Sequence, residues 1–174
     1  MQEEVEIRHA KAEERAAVAA LVIQNHLALS EDSAEEWLEQ LKDVPSDFAH
    51  LMEDSSFAEG RHQVAIDKHS GAIVGCACIA PTEEEGVWLL EALSVRPTWR
   101  GRGLGKRLLQ LAIDDARRVG APRLKLVTLK ERMENAWRLY QKMGFKRVSE
   151  EVVAGPPSRP LMTVLRYQLD LGSS

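Results

Sequence analysis

The chain has 174 residues, 44% of them hydrophobic and 29% charged, and a net charge of −4. That length suits one domain with a substantial core, the mild acidity argues against a nucleic-acid-binding module, and no apolar run approaches the ~20 residues needed to span a bilayer. The acidic start Met1-Gln2-Glu3-Glu4 lacks the basic-then-apolar layout of a secretory signal, so a cytoplasmic location is expected, with the nucleus as the alternative.

Val5–His9 alternates apolar and polar residues and predicts a first strand, after which Ala12–Leu29 carries Val18, Leu21 and Val22 at helical spacing. Ser33 followed by Glu36 reads as a capping box that starts a short helix through Trp37, Leu38 and Leu41, stopped near Pro45, with a further helical turn at Phe48–Met52. The period then changes. His62–Asp67, Ala72–Ala80 and Val87–Val95 read as three adjacent antiparallel strands, separated by turn chemistry at Ser70-Gly71 and by the acidic loop Glu83-Glu84-Glu85-Gly86. A helix over Leu104–Val119 presents Leu104, Leu108, Leu111, Ala112 and Ala116 on one face, and Gly120 with Pro122 ends it. A strand Leu124–Leu129, a helix Glu134–Met143 closed by Gly144, a strand Phe145–Val153, a loop at Gly155-Pro156-Pro157 and a last strand Met162–Leu169 complete the chain. Cys76 and Cys78 lie two apart in an apolar run, too close for a structural disulfide, and without a second Cys pair or clustered His no metal site is expected.

Between the third of those strands and the following helix stands Arg100-Gly101-Arg102-Gly103-Leu104-Gly105. A strand that passes through a glycine-rich turn into a helix aims several unpaired backbone N–H groups at one point, where an anion fits. From Arg96 to Arg107 there are five basic residues (Arg96, Arg100, Arg102, Lys106, Arg107) and no acidic one, the electrostatic footprint of a phosphate site in an acidic chain. The competing reading is a tight turn with a solvated basic rim. A P-loop is excluded, since Gly103-Leu104-Gly105-Lys106-Arg107 lacks both its spacing and its Ser or Thr, and the Gly-x-Gly-x-Gly spacing fails the dinucleotide fingerprint.

The run resembles the cofactor loop of the GNAT N-acetyltransferase superfamily, whose pattern is Gln or Arg, two residues, Gly, one residue, then Gly or Ala; Arg100, Gly103 and Gly105 fill it. Leu93-Ser94-Val95-Arg96-Pro97 stands where that family has its donor-binding strand, and Asn135, Ala136, Leu139, Tyr140, Gly144 and Phe145 match its downstream block. The match covers about Leu89 to Phe145; the residues before it carry a compatible pattern and no motif. The resemblance implies an α/β (α+β mixed) GNAT fold: a mixed, mostly antiparallel twisted sheet of about six to seven strands flanked by about four helices. It implies one N-acetyltransferase domain over 1–174, with a cofactor core at about 87–145 and acceptor-side elements at about 11–60 and 150–171.

The activity so implied is transfer of an acetyl group from acetyl-CoA, as co-substrate, directly to an amine of a small molecule or a protein. In that reading the backbone of Arg100, Gly101, Arg102, Gly103, Leu104 and Gly105 holds the pyrophosphate, the side chains of Arg100, Arg102 and Lys106 add attraction, and Leu93, Ser94 and Val95 line the pantetheine arm, with an N–H near Leu93 aimed at the thioester oxygen. Tyr140 is the candidate general acid toward the departing thiolate, the alternative being aromatic packing beside Trp137 and Phe145. Asn135 bridges the cofactor arm or caps its helix; both readings stand. Glu91 is the candidate base, acting through water, because it lies an even number of residues from Leu93 and Val95 and is expected to face the same cleft; an exposed Glu on one sheet face is the plain alternative. His26 and His62 are weaker candidates. The acidic segments Glu31–Glu39 and Glu83–Glu85 read as solvated charges or as attraction for a cationic acceptor. A catalytically silent CoA-binding regulatory or interaction domain is the competing function, and a monomer or homodimer without nucleic acid or membrane partners is expected.

Overall fold

Segments rich in Val, Ile and Leu, bounded by Gly and Pro turns, supply the strands: β1 (Val5–His9), β2 (His62–Asp67), β3 (Ile73–Pro81), β4 (Val87–Val95), β5 (Arg123–Leu129), β6 (Lys146–Ala154) and β7 (Leu161–Asp170). The computed structural model of the protein describes residues 4–15, 17–18, 21–22, 61–130, 134–154 and 161–172. The strands form one sheet in the order β1-β2-β3-β4-β5-β7-β6, antiparallel except where β4 meets β5. The expected antiparallel trio is therefore β2-β3-β4, and the last strand inserts between β5 and β6. This is the expected mixed α/β class, a seven-stranded, mostly antiparallel sheet carrying helices.

Two α-helices are described from end to end, α1 (Leu104–Arg118) and α2 (Glu134–Lys142). Apolar residues at helical spacing bury Leu104, Leu108, Leu109, Ala112, Ile113 and Ala116 of α1 against the sheet, and Arg117 and Arg118 in its last turn complement the helix dipole. Both helices end in the same device. Ala121 donates its N–H to the Ala116 carbonyl and Gly120 to that of Arg117; likewise Phe145 donates to Tyr140 and Gly144 to Gln141. Gly120 (φ +77°) and Gly144 (φ +98°) supply the left-handed residue that this Schellman geometry requires. Near the amino end, Ala12–Glu14 is a 3-10 turn, and Arg15, Ala17, Val18, Leu21 and Val22 carry helical backbone. The rest of the predicted Ala12–Leu29 helix, the Ser33 helix, the Phe48–Met52 turn, the Gly155 loop and His26 lie outside the described residues. Among the described residues no helix is long and apolar enough to cross a membrane.

Each face of the sheet has its own core. On one face α1 and α2 cover Val74, Ala77, Ile79, Leu90, Leu124, Leu126, Leu165 and Tyr167. On the other, Val18 and Leu21 pack on Val64, Ile66 and Cys76, and Val22 packs on Cys78 and Ala92. Cys76 and Cys78 are free, buried thiols. The α1 face also buries one carboxylate, Asp115, which accepts hydrogen bonds from Gln63 Nε2 at 2.7 Å and Arg118 at 3.3 Å and lies 3.2 Å from His9 Nε2. Such partners are what a buried carboxylate needs.

Candidate active site

β4 and β5 pair in parallel over only three positions, Val87 with Arg123, Trp88 with Leu124 and Leu89 with Lys125. Beyond Leu89, β4 continues against β3 as far as Val95, while β5 continues against β7 as far as Leu129. The sheet is thus split from its middle to one end. Along the split, no strand pairs with the edge of β4 that faces β5 among the described residues, and extended backbone presents polar groups along such an edge at every second residue. Leu93, Ser94 and Val95 lie on this stretch and are all half-buried.

The glycine turn closes the end of that stretch. A 3-10 turn at Pro97–Trp99 leads into Gly101 (φ +78°) and Gly103 (φ +81°), the residue that caps α1 without a side-chain hydrogen bond. The first intrahelical bond of α1 runs from the Arg107 N–H to the Gly103 carbonyl at 3.2 Å, so the N–H groups of Leu104, Gly105 and Lys106 project from the helix start. A Cβ at Gly101 or Gly103 would meet nothing within 4 Å. Among the described residues nothing crowds these two glycines. Arg100 folds back, its Nε donating to the Val95 carbonyl at 3.2 Å; Arg102 covers the Trp99 ring at 4.5 Å and lies 4.0 Å from Glu4; Lys106 is exposed.

Tyr140 projects from α2 into the core on the α1 side. Its ring meets Phe145 edge-on at 5.9 Å and Tyr167 at 6.4 Å, and burial pushes its phenol up to about 12. A network absent from the sequence-based expectations braces this aromatic group. Tyr167 Oη accepts hydrogen bonds from Arg147 Nη2 at 2.9 Å, Arg147 Nε at 3.2 Å and Gln141 Nε2 at 3.2 Å, tying β6 and α2 to β7. The Arg147 guanidinium also lies 5.6 Å from the Trp137 ring, and Trp137 Nε1 donates to the Lys130 carbonyl at 3.1 Å. The amphipathic pattern of α2 was the only available signal, since nothing in the order of residues links Arg147 to Tyr167.

The placement of Glu91 corrects one expectation. Ile79 pairs with Leu90 and Cys78 with Ala92, so Glu91 is an extra residue in β4, a β-bulge. The bulge reverses the alternation of faces. Trp88 and Leu90 before it pack into the α1-side core, and so do Leu93 and Val95 after it, whereas Ala92 turns to the opposite face with Cys78. The Glu91 carboxylate lies 3.7 Å from Cys78 Sγ on that opposite face. Counting an even number of residues from Leu93 therefore put it on the wrong side. Tyr140 thus lies on the α1 side of the sheet and Glu91 on the opposite side.

The family model for the acetyltransferase (GNAT) family matches residues 26–145, which include the split strand, the glycine turn and both helices. The chain belongs to the GNAT acetyltransferase family. It is 34% identical over 103 residues to the IAA acetyltransferase of Azospirillum brasilense, an alignment that covers 58% of this chain and 65% of that protein. It is 41% identical over 64 residues to the amino-acid acetyltransferase of Ralstonia nicotianae, covering 37% of this chain and 14% of that protein. The chain thus spans less than two thirds of the length of these curated relatives. The yncA protein of Salmonella typhimurium, solved with its cofactor acetyl-CoA, shares the fold with a TM-score of 0.69 at 20% identity, over 98% of this chain and 96% of that one.

Within this GNAT domain, the other candidates fall as follows. Asn135 is the second residue of α2, inside the first turn rather than before it, and its side chain lies outside the described residues. His62 is buried, and burial together with the Arg61 charge lowers it to about 4, so it is a neutral imidazole at physiological pH and a poor base. In the Glu83–Glu85 loop, Glu84 pairs with Lys125 at 3.0 Å. Among the described residues no group of three or more His, Cys, Asp or Glu side chains could hold a metal ion.

Proposed function

We propose that this protein transfers an acetyl group from acetyl-CoA directly to an amine of a small molecule or of a protein or peptide acceptor. The observation that carries the reading is the split between β4 and β5, with the projecting amides of Leu104, Gly105 and Lys106 at one end and Tyr140 and Glu91 on opposite faces. The residues present fit the cosubstrate. The open left-handed glycines let a diphosphate reach the helix start, where the dipole favours negative charge, and the bared edge of β4 can hydrogen-bond an amide-bearing arm as a neighbouring strand would. When bound, acetyl-CoA supplies an activated thioester.

The chain's own groups then divide the work. A backbone N–H near Leu93 donates to the thioester carbonyl oxygen and gains strength as charge develops there. The Tyr140 phenol, protonated throughout the physiological range because burial raises it to about 12, presents its O–H to the sulfur. So weak an acid acts first through a hydrogen bond that tightens as charge builds on sulfur, and releases its proton late. Glu91 receives the proton of the attacking amine through a water molecule, from the face opposite Tyr140. Acid and base on opposite sides of the opening suit a reaction in which the amine enters on one side of the carbonyl carbon and the thiol leaves on the other.

Release of CoA thiol from acetyl-CoA in the presence of a panel of free amines tests the proposal. The panel includes amino acids, because one relative is an amino-acid acetyltransferase, together with polyamines and lysine-containing peptides. Amine-dependent thiol release is the expected result; tight CoA binding with no release for any amine would identify a silent binding domain.

A further inference from the structure

Cys78 has no role in the chemistry described so far, yet its thiol stands between two side chains that the sequence singles out. Its Sγ lies 3.4 Å from His62 Nε2 and 3.7 Å from Glu91 Oε2, all on the face opposite α1. Both Cys78 and His62 are 1% exposed. Arg61 lies close enough for its charge to act on both His62 and Cys78, Cys76 is the next thiol along β3, and Val22 packs apolar surface over Cys78. Those are the titratable and charged groups that face the cluster among the described residues.

The protonation states follow from burial. Cys78 is held well above the ordinary thiol range by desolvation and by the Glu91 charge, so it is an S–H donor and neither a thiolate nor a nucleophile. Its single hydrogen has three acceptors in reach, His62 Nε2 at 3.4 Å in one tautomer, the Ile79 carbonyl at 3.5 Å and the Glu91 carboxylate at 3.7 Å, of which the charged one binds the most strongly. With the S–H given to Glu91, the neutral His62 completes the chain in the tautomer that donates Nε2–H to the sulfur. In the register of the bulge Glu91 stands between the pairs Ile79–Leu90 and Cys78–Ala92, which turns its side chain to the face that carries Cys78.

We propose that Cys78, oriented by His62, is a positioning residue that holds the Glu91 carboxylate ionised and aimed at the opening between β4 and β5. This rests on the reading of Glu91 as the base. Sequence alone places no thiol donor beside Glu91; the bulge does.

The test uses the full chain with Cys78→Val, Cys78→Ser and Glu91→Gln. The Glu91 carboxyl is followed by carbon NMR of labelled glutamate, its resonance assigned by its loss in Glu91→Gln. Turnover is followed as CoA release from acetyl-CoA with a pool of the common amino acids and spermidine as probe. In Cys78→Val the Glu91 resonance is expected to titrate about one pH unit higher than in the parent, because a donor to the charged form has gone. The acid limb of kcat moves with it, kcat near that limb falls roughly tenfold, and KM for acetyl-CoA stays within about twofold. Cys78→Ser, which keeps a donor, restores the parent titration. A Cys78→Val resonance that titrates as in the parent, or equal changes in the Ser and Val variants, would overturn the proposal. Should the Val variant not fold, Cys78→Ala replaces it in the same comparison. Parent-like turnover in Glu91→Gln would instead remove Glu91 as the base, while the carboxyl titration still decides whether Cys78 holds it.

Discussion

Phe145 donates its backbone N–H to the Tyr140 carbonyl at 3.0 Å, and the two rings meet edge-on with centroids 5.9 Å apart and planes at 61°. The end of α2 thus fixes Tyr140 from both its backbone and its side chain. Tyr140→Phe keeps those contacts and removes only the hydroxyl. Its kcat is expected to fall roughly a hundredfold or more, with CoA affinity nearly unchanged. Thiol-release kinetics and calorimetry of CoA binding check the split; equal loss of both would make Tyr140 a packing residue.

Gly75 on β3 lets α1 approach the sheet. A Cβ there would lie 2.9 Å from Leu108 Cδ1 and 3.3 Å from the Ser94 carbonyl oxygen, so neither the helix nor β4 can give way freely. Gly75→Ala is expected to destabilise the fold by about 1–3 kcal/mol through overpacking. Urea unfolding of parent and variant measures it, and an unchanged midpoint would show that α1 shifts without cost.

Gly103 differs from Gly75 in that its Cβ would meet open space, yet its φ of +81° is unfavourable for any side chain. Gly103→Glu is expected to cost about 1–2 kcal/mol of stability through backbone strain. It should weaken CoA binding far more, because a carboxylate then stands where the diphosphate docks. Calorimetry against CoA with a thermal melt in parallel separates the two effects. Unchanged affinity would move the diphosphate elsewhere.

His62 gives the fold an acid sensitivity of predictable sign. Its value is lowered from 6.5 to about 4 in the folded protein. Between those limits the unfolded chain binds a proton that the native state refuses, so stability is full above 6.5 and declines as pH falls toward 4, by roughly 3 kcal/mol across the window. His62→Gln, which does not titrate, is expected to lose less stability than the parent between pH 7 and pH 4.5 in urea titrations. Parallel losses would assign the acid sensitivity to other groups.

Much of the fold was legible because it depends on local pattern. The apolar stripe Leu104, Leu108, Leu111, Ala112, Ala116 found the sheet-facing side of α1, with Leu111 only half-buried at its margin, and Gly120 and Gly144 marked the two helix ends. The glycine turn was legible for the same reason, since left-handed Gly101 and Gly103 and a following amphipathic helix are properties of one short segment. What escaped involves two strands at once. The bulge at Glu91 exists only in the register of β3 against β4, and the run from Val87 to Val95 is apolar enough to read as unbroken alternation from either face. Insertion of β7 between β5 and β6 and the clasp of Arg147 on Tyr167 are likewise long-range facts, without a trace in the spacing of either residue.

The short β4–β5 junction has a mechanical consequence. Four strands on one side and three on the other are stitched by a seam of three residue pairs, so the two halves resist bending less at this seam than within either half. A guest lying along the seam would act as a missing rung. Its arrival should stiffen the whole sheet, slowing hydrogen exchange in β5 and β7 as well as in the strand it touches.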